Sequence, residues 1–196
     1  EEINDCFYCD LEFGTAGIRG VLGPGSNRLN IYVIRKVSKA FAEFLIQTDS
    51  RAKEDGVVIS HDNRLYSREF TLESAKMLAS YGIKVYIFDS LRPTPELSFA
   101  VRKMNAVGGI MITASHNPKE YNGYKIYDKT GCQLVPEMAD LVIGEINKID
   151  NYFEIETSKN HELITYIGRE VDEVYMNEVK KIVLRPELEK NVKFVY

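Results

Sequence analysis

Short apolar segments that alternate with amphipathic segments predict an α/β fold, a three-layer α/β/α arrangement around a mainly parallel mixed sheet. The run Val57-Val58-Ile59 is β-branched, as is typical of a buried strand, and a polar loop follows it. The segments between the predicted strands carry apolar residues at helical spacing. Strands alternating with helices form βαβ units, whose chemistry lies beyond the carboxyl ends of the strands.

The elements can be placed in chain order from these patterns. Asn30 is expected to cap the first helix, whose apolar stripe is Ile34, Val37, Phe41, Phe44 and Leu45. Ser67 is expected to cap the second helix, which ends at Gly82, and Pro93-Thr94-Pro95 begins a third. Further helices are predicted at residues 136–149 and 171–184, and strands at residues 57–59, 84–88, 109–113 and 124–127.

Composition excludes several classes of protein. The 196 residues are 44% hydrophobic and 28% charged, as expected for one globular domain. A net charge of -4 argues against a nucleic-acid partner. No apolar run approaches the roughly 18 residues of a membrane span, and the acidic start is unlike a signal peptide. We therefore expect a cytoplasmic location and no membrane partner.

The three cysteines do not indicate a site. Cys6 and Cys9 form a C-x-x-C pair, but no second pair completes a zinc site and no strand and helix frame a redox motif. An odd count with Cys132 does not indicate a disulfide framework. We expect incidental thiols.

The segment Thr113-Ala114-Ser115-His116-Asn117-Pro118, here called the serine loop, follows a predicted buried strand. An acyl-transfer serine needs G-x-S-x-G, and both glycines are missing. A phosphoserine avoids the weakness of a free hydroxyl as nucleophile, since it donates a phosphoryl group to a site rich in positive charge. The alternative is an ordinary connection whose polar side chains satisfy local backbone groups.

Two basic residues are candidates for that positive charge. Lys125 alternates with Tyr124 and Ile126 in a predicted strand, after an expected Asn122-Gly123 turn, so it can face a cleft if those two face the core. Arg19 lies in a glycine-rich opening segment that can approach another group closely and bind phosphate. The alternatives are a solvated lysine and a surface arginine.

Four segments together resemble the first domain of the α-D-phosphohexomutases. They are the opening segment 13–20, Asp62-Asn63-Arg64, the serine loop, and Tyr121-Asn122-Gly123-Tyr124-Lys125. Residues 23–30 resemble the subgroup of bacterial phosphoglucomutases and phosphoglucomutase 2-type enzymes. The resemblance covers residues 10–133 strongly. It implies domain I over residues 1–190 and the first strand of a truncated domain II at residues 191–196.

The resemblance also implies an activity, an intramolecular phosphotransfer that interconverts a sugar 1-phosphate and a sugar 6-phosphate. Ser115 would carry the phosphoryl group and bind Mg²⁺ through it, and a sugar bisphosphate would be the intermediate and activator. Arg19 would lie near the transferring phosphate, and His116 would support the loop or bind substrate. Lys125 would assist proton transfer, which requires a neighbour such as Arg19 to lower its pKa from about 10.4.

The remaining site residues implied by the resemblance bind phosphate or substrate or brace the site. They are Thr15, Gly17, Asn117, Asn122, Asp62 and Arg64. The other Mg²⁺ ligands are expected in domain II, and the partner of this fragment is the rest of its own chain, domains II to IV. The fragment alone is expected to be inactive.

Other functions remain open at this stage. A phosphomannomutase or a phosphopentomutase would use the same machinery. A non-catalytic sugar-phosphate-binding protein could retain the fold, although Ser115, Lys125 and Arg19 are all present. An interaction domain with an unused loop is a third alternative.

Overall fold

A mixed β-sheet forms the middle layer of the computed structural model, which describes residues 1–14, 17–157, 159, 161–185, 187–188 and 193. The strands are β1 (Phe13–Gly14), β2 (Gly17–Val21), β3 (Val57–His61), β4 (Val85–Phe88), β5 (Gly108–Ile112), β6 (Tyr121–Asp128) and β7 (Ile164–Ile167). The helices are α1 (Glu2–Phe7), α2 (Ile31–Thr48), α3 (Ala52–Asp55), α4 (Ser67–Ser80), α5 (Thr94–Lys103), α6 (Pro136–Ile146) and α7 (Arg169–Lys181), with a 3₁₀ turn at Tyr152–Glu154.

The strand order is β1-β2-β6-β5-β3-β4-β7 over the described residues. β5, β3, β4 and β7 run parallel to one another. β6 runs antiparallel to both β5 and β2, and β1 is antiparallel to β2. The carboxyl ends of β2, β3 and β5 therefore meet at one edge, where β6 begins. The predicted α/β fold class is confirmed.

Helices cover both faces of the sheet, because successive strand residues point to opposite sides. Val57 and Ile59 pack with α2, α4 and α6, whereas Val58 packs with α5 and α7. The predicted stripe of α2 is buried throughout, including Phe41 and Phe44. Burying a side chain of this size contributes about 1.5–3 kcal/mol. In the part of the chain that the structure describes, no helix is both long and apolar enough to cross a membrane.

The helix caps agree with the sequence at α2 and differ at α4. Asn30 Oδ1 accepts hydrogen bonds from the amides of Tyr32 and Val33, at 3.1 and 3.2 Å, so this predicted cap is confirmed. The prediction for Ser67 is wrong. The capping position of α4 belongs to Tyr66, with φ +62°, and the Ser67 hydroxyl donates instead to Asp62 Oδ1 at 3.0 Å.

The predicted Asn122-Gly123 turn is also wrong, because both residues lie inside β6. Gly123 pairs with β2 on one side. On the other side its carbonyl oxygen accepts a hydrogen bond from the amide of Thr113, in the serine loop. A Cβ at Gly123 would lie 2.7 Å from the Thr113 carbonyl oxygen and 2.8 Å from that of Ile18. The glycine thus allows close approach of neighbouring backbones and does not form a turn.

Sequence analysis missed two parts of the sheet. The opening segment contributes β1 and β2, an antiparallel pair called the opening hairpin, in which Phe13 pairs with Ile18. Strand β7 pairs in parallel with β4 at the far edge, and its sequence Ile164-Thr165-Tyr166-Ile167 has the β-branched and aromatic composition typical of strands. The predicted strand at residues 191–196 lies, apart from Lys193, outside the described residues. The three cysteines, Cys6, Cys9 and Cys132, carry free thiols.

A group of charged residues joins α5 to α7. The Arg92 guanidinium donates to both carboxylate oxygens of Asp172, at 2.6 and 2.8 Å, and this holds the pKa of Asp172 below its usual range. Glu96 is only 5% exposed, and its Oε1 has no hydrogen-bond partner among the described residues. Burial first, and then Asp172, raise the pKa of Glu96 to about 7.

The Glu96→Gln variant is expected to gain stability relative to the wild type as the pH rises. A carboxyl whose pKa is raised by folding contributes stability that is fully present below its ordinary pKa and is lost as the pH rises from there through about 7. Asp172 stays ionised above its lowered pKa, so it adds nothing to the change of stability with pH in this range. The free energy of unfolding of Glu96→Gln minus that of the wild type should grow by about 2 kcal/mol between about pH 5 and about pH 8.

Urea denaturation of both proteins at the two pH values measures this difference. Glu137→Gln, at an exposed position of α6, is the control and should show no such change. A difference between wild type and Glu96→Gln that is the same at both pH values would contradict the assignment of the raised pKa to Glu96.

Candidate active site

The serine loop lies at the carboxyl edge of the sheet, between the end of β5 and the start of β6. Ser115 is exposed and has φ +57°, a left-handed conformation that residues with a Cβ adopt only when their surroundings hold them there. Its Oγ lies 3.3 Å from His116 Nδ1. The loop thus presents a hydroxyl and an imidazole together at the surface.

Arg64 is the main support of this loop. NH1 donates to the carbonyl oxygens of Pro118 and Tyr121, at 2.8 and 2.9 Å. NH2 donates to the carbonyl oxygens of Ser115 and Asn117, at 2.8 and 2.6 Å. The rigid fork of a guanidinium suits such a set of acceptors, and the side chain is only 12% exposed. Arg64 therefore braces the loop through its backbone.

Asp62 lies directly after β3 and faces protein donors with both oxygens. Oδ1 accepts from the Arg64 amide and from the Ser67 hydroxyl, both at 3.0 Å. Oδ2 accepts from Thr113 Oγ1 at 2.6 Å and lies 3.5 Å from Arg64 Nε. The carboxylate is thus engaged inside the protein, so its place is that of a brace.

Asn122 is fully buried behind the loop. Its Nδ2 donates to the carbonyl oxygen of Leu65 at 2.9 Å and to Ser67 Oγ at 3.0 Å. Its Oδ1 accepts from the Gly123 amide at 2.8 Å. Every polar atom of this amide is directed into the protein, so Asn122 joins β6 to the start of α4.

Arg19 and Lys125 supply positive charge beside the loop. Arg19 NH1 donates to Asn117 Oδ1 at 3.2 Å. Lys125 points away from the core that buries Tyr124 and Ile126, yet it is only 9% exposed. Burial first, and then the charge of Arg19, lower the pKa of Lys125. A lysine in this setting gives up its proton more readily than an exposed one.

The glycine of the opening hairpin approaches protein backbone. Gly17 has φ +106°, and a Cβ there would lie 2.0 Å from the Tyr124 carbonyl oxygen. The close approach expected from the glycine-rich segment is therefore an approach of the hairpin to β6, beside Lys125. Thr15 lies outside the described residues, so the structure does not place its side chain.

Most of the sequence matches a known domain. Residues 10–153 match the profile described as phosphoglucomutase/phosphomannomutase, alpha/beta/alpha domain I. The matched residues include the serine loop, Arg64 and both cations. The chain belongs to this family.

Phosphoglucomutases are among the relatives of this chain. Those of Staphylococcus saprophyticus and Staphylococcus epidermidis are 44% and 42% identical to it, over 188 and 187 residues. Each alignment covers 93% of this chain and 34% of the relative. A solved structure from Thermus thermophilus, of a protein assigned as a phosphomannomutase, matches with a TM-score of 0.73 and 30% identity, over 88% of this chain and 36% of that one. The chain spans about a third of the length of these relatives.

In this phosphoglucomutase/phosphomannomutase domain, the residues singled out from sequence lie in two groups. The first lies at or near the serine loop and comprises Ser115, His116, Asn117 and Arg19, together with the buried Lys125, which lies within the field of Arg19. The second lies behind the loop and comprises Asp62, Arg64 and Asn122. Sequence analysis gave no role in the site to Thr113 or Ser67, although both connect to Asp62. Thr113 belongs to the serine loop, but its contact with Asp62 joins the segments that follow two different strands, β5 and β3.

The Arg64→Lys variant is expected to destabilise the serine loop. An ammonium has a single donor centre, so it cannot reach the four carbonyl oxygens that the guanidinium bonds. The free energy of unfolding should fall by about 1–3 kcal/mol, and amide hydrogen exchange in residues 115–121 should accelerate.

Mass spectrometry of deuterium uptake measures the exchange, and chemical denaturation measures the stability. Arg68→Lys, at an exposed position of α4, is the matched control. Unchanged exchange in the loop of Arg64→Lys would show that Arg64 does not hold it.

Proposed function

We propose that the whole protein is a phosphosugar mutase, an intramolecular phosphotransferase that interconverts a sugar 1-phosphate and a sugar 6-phosphate in carbohydrate metabolism. The observation that carries the proposal is an exposed serine in a braced left-handed turn, with Arg19 bonded to the same loop and Lys125 within the field of Arg19. The relatives named phosphoglucomutase favour glucose phosphate as the substrate. The phosphomannomutase assignment of the Thermus protein keeps mannose phosphate as the second candidate.

In this proposal, Ser115 carries a phosphoryl group and donates it to the free hydroxyl of the bound sugar phosphate. The bond between phosphorus and Ser115 Oγ breaks as a bond to the sugar oxygen forms. The proton of the sugar hydroxyl passes to Lys125, whose lowered pKa suits a base. His116 Nδ1, 3.3 Å from Ser115 Oγ, is placed to return a proton to the serine oxygen.

The second half of the reaction is the reverse exchange. The sugar bisphosphate reorients, and its other phosphoryl group returns to Ser115. Arg19, held by Asn117, binds the equatorial oxygens of the transferring group, where charge is spread over three atoms. Gly17, in the hairpin beside Lys125, and Thr15 are proposed to complete the phosphate side of the site. Asp62, Arg64 and Asn122 hold the loop.

Mg²⁺ is part of the proposal, but the described residues do not form a site for it. Among residues 1–14, 17–157, 161–185 and the isolated described positions, no group of three or more His, Cys, Asp or Glu side chains is arranged to hold a metal ion. Both oxygens of Asp62 accept protein hydrogen bonds. The phosphoryl group on Ser115 would supply one ligand, and we propose that the others come from domain II.

The proposal extends to the rest of the protein. Domain I would span residues 1–190, and domains II to IV would complete the site, so this chain alone would be inactive. A sugar bisphosphate would act as activator by phosphorylating Ser115. A cytoplasmic location is part of the same proposal.

Phosphorylation of Ser115 tests the proposal directly. The full-length protein is expected to carry one phosphoryl group at Ser115, detected by intact-mass and peptide mass spectrometry. Ser115→Ala should abolish mutase activity with glucose 1-phosphate, Mg²⁺ and a sugar bisphosphate while leaving the melting temperature unchanged, because the side chain is exposed. Ser90→Ala, at another exposed loop serine, is the control. An unmodified Ser115 after incubation with glucose 1,6-bisphosphate would refute the enzymatic function.

The electrostatic coupling between the two cations gives a second test. Arg19→Gln is expected to raise the pKa of Lys125 toward its usual value, since one of the two causes of its lowering is removed while burial remains. Titration of lysine ε-carbons labelled with ¹³C, followed by NMR, measures that pKa. Arg102→Gln, at an exposed position near the end of α5, should not alter it. A Lys125 pKa that is unchanged in Arg19→Gln would remove Arg19 as its modulator.

A further inference from the structure

We propose that Thr113 is a positioning residue for the reacting serine. Its hydroxyl accepts a hydrogen bond from the Ser115 amide and donates one to the Asp62 carboxylate, so it links the backbone of Ser115 to Asp62. This inference rests on the proposed function and names a residue that acts on Ser115 without touching substrate. Thr113 is only 5% exposed, and its hydroxyl is engaged on both sides within the protein.

The backbone of Ser115 is held at both of its peptide groups by side chains. Its amide donates to Thr113 Oγ1 at 2.9 Å, and its carbonyl oxygen accepts from Arg64 NH2 at 2.8 Å. A left-handed residue with a Cβ is disfavoured in isolation, so these two contacts hold the conformation that exposes Oγ. Arg64 bonds the backbone of several residues, whereas the only residue of the serine loop that the Thr113 hydroxyl bonds is Ser115.

The protons of this arrangement have a fixed direction. A hydroxyl has one proton to donate, and that of Thr113 goes to Asp62 Oδ2 at 2.6 Å, because an ionised carboxylate only accepts. The lone pairs of Thr113 Oγ1 then face the Ser115 amide. Without the carboxylate, the hydroxyl could rotate and leave that amide without its acceptor.

Buried groups behind Asp62 fix the carboxylate in turn. Ser67 Oγ donates to Asp62 Oδ1 at 3.0 Å and accepts from Asn122 Nδ2 at 3.0 Å. Ser67 and Asn122 are 1% and 0% exposed. The chain of hydrogen bonds therefore runs from β6 through the start of α4 to the end of β5, and it ends on the amide of the reacting residue.

Phosphoryl transfer is sensitive to such positioning. The protein contributes mainly placement and charge to this class of reaction, and a displacement of about 1 Å can cost about 100-fold in rate. Loss of the Thr113 hydroxyl leaves the charges of Arg19 and Lys125 in place and alters only the conformation of Ser115. The expected effect is therefore on kcat, with little change in KM.

Three variants of the full-length protein test the inference. Thr113→Val keeps the shape but removes the hydroxyl, and its kcat should fall roughly 10- to 100-fold while KM for glucose 1-phosphate changes by less than about two-fold. Thr113→Ser keeps the hydroxyl and should restore most of kcat. Thr71→Val is the matched control, because the Thr71 hydroxyl is buried on α4 without a hydrogen-bond partner among the described residues. It should leave kcat unchanged.

The outcomes separate this inference from the proposed function. Wild-type protein without mutase activity and without phosphoserine would refute the function itself. Active wild type together with a Thr113→Val variant of equal kcat would overturn the inference alone. Thr113→Val brings a methyl group against a carboxylate. If it does not fold, Thr113→Ala replaces it, and an unreduced kcat in that variant overturns the inference equally. A crystal structure of the folded variant should show Ser115 displaced from its left-handed conformation.

Discussion

The geometry of the site depends on the hydrogen bonds that the Asp62 carboxylate accepts. The carboxylate accepts hydrogen bonds from the Arg64 amide and from the hydroxyls of Ser67 and Thr113, which belong to three different segments. Each donor has a further contact in the loop or behind it, so the carboxylate joins the end of β3 to the serine loop and to α4. A fully satisfied polar network of this kind restricts its members to one arrangement. The unusual backbone of Ser115 can persist because that network holds it.

The strand order explains why the charges collect beside this network. β6 lies between β5 and β2, so the middle of β6 brings Lys125 within the field of Arg19 on the neighbouring strand. Among the described residues, neither side chain forms an ion pair with a carboxylate, and Arg19 donates a hydrogen bond to the neutral Asn117 amide. The two positive charges therefore repel each other, and a bound anion would relieve that repulsion. A phosphoryl group has the charge and the size to do so.

Sequence predicted the fold where local signals decide it and failed where neighbours across the sheet decide it. The cap at Asn30 and the apolar stripe of α2 depend on residues a few positions apart, and both agree with the structure. Asn122-Gly123 has the local signature of a turn, but here the glycine allows close approach of the Thr113 backbone in the serine loop and of the Ile18 backbone in β2. Ser67 has the composition of a cap, but Asp62 takes its hydroxyl. The serine loop was predicted from its residues, whereas its support by Thr113 requires the pairing of β3 with β5.

The residues that hold the serine loop are different from the cations that lie near it. The hydroxyl that holds the Ser115 amide belongs to Thr113, which is buried, and the Arg64 side chain that holds the Ser115 carbonyl oxygen is only 12% exposed. The groups that can meet an anion, Arg19 and Lys125, take no part in holding the loop backbone. A bound anion could therefore change the electrostatics beside Arg19 without disturbing the hydrogen bonds that position the serine. A loop that had to use the same residues for both tasks would lose its conformation whenever the ligand left. Separation of the two sets keeps the hydroxyl in position whether or not an anion is bound, and such preorganisation would lower the reorganisation needed for the proposed phosphoryl transfer.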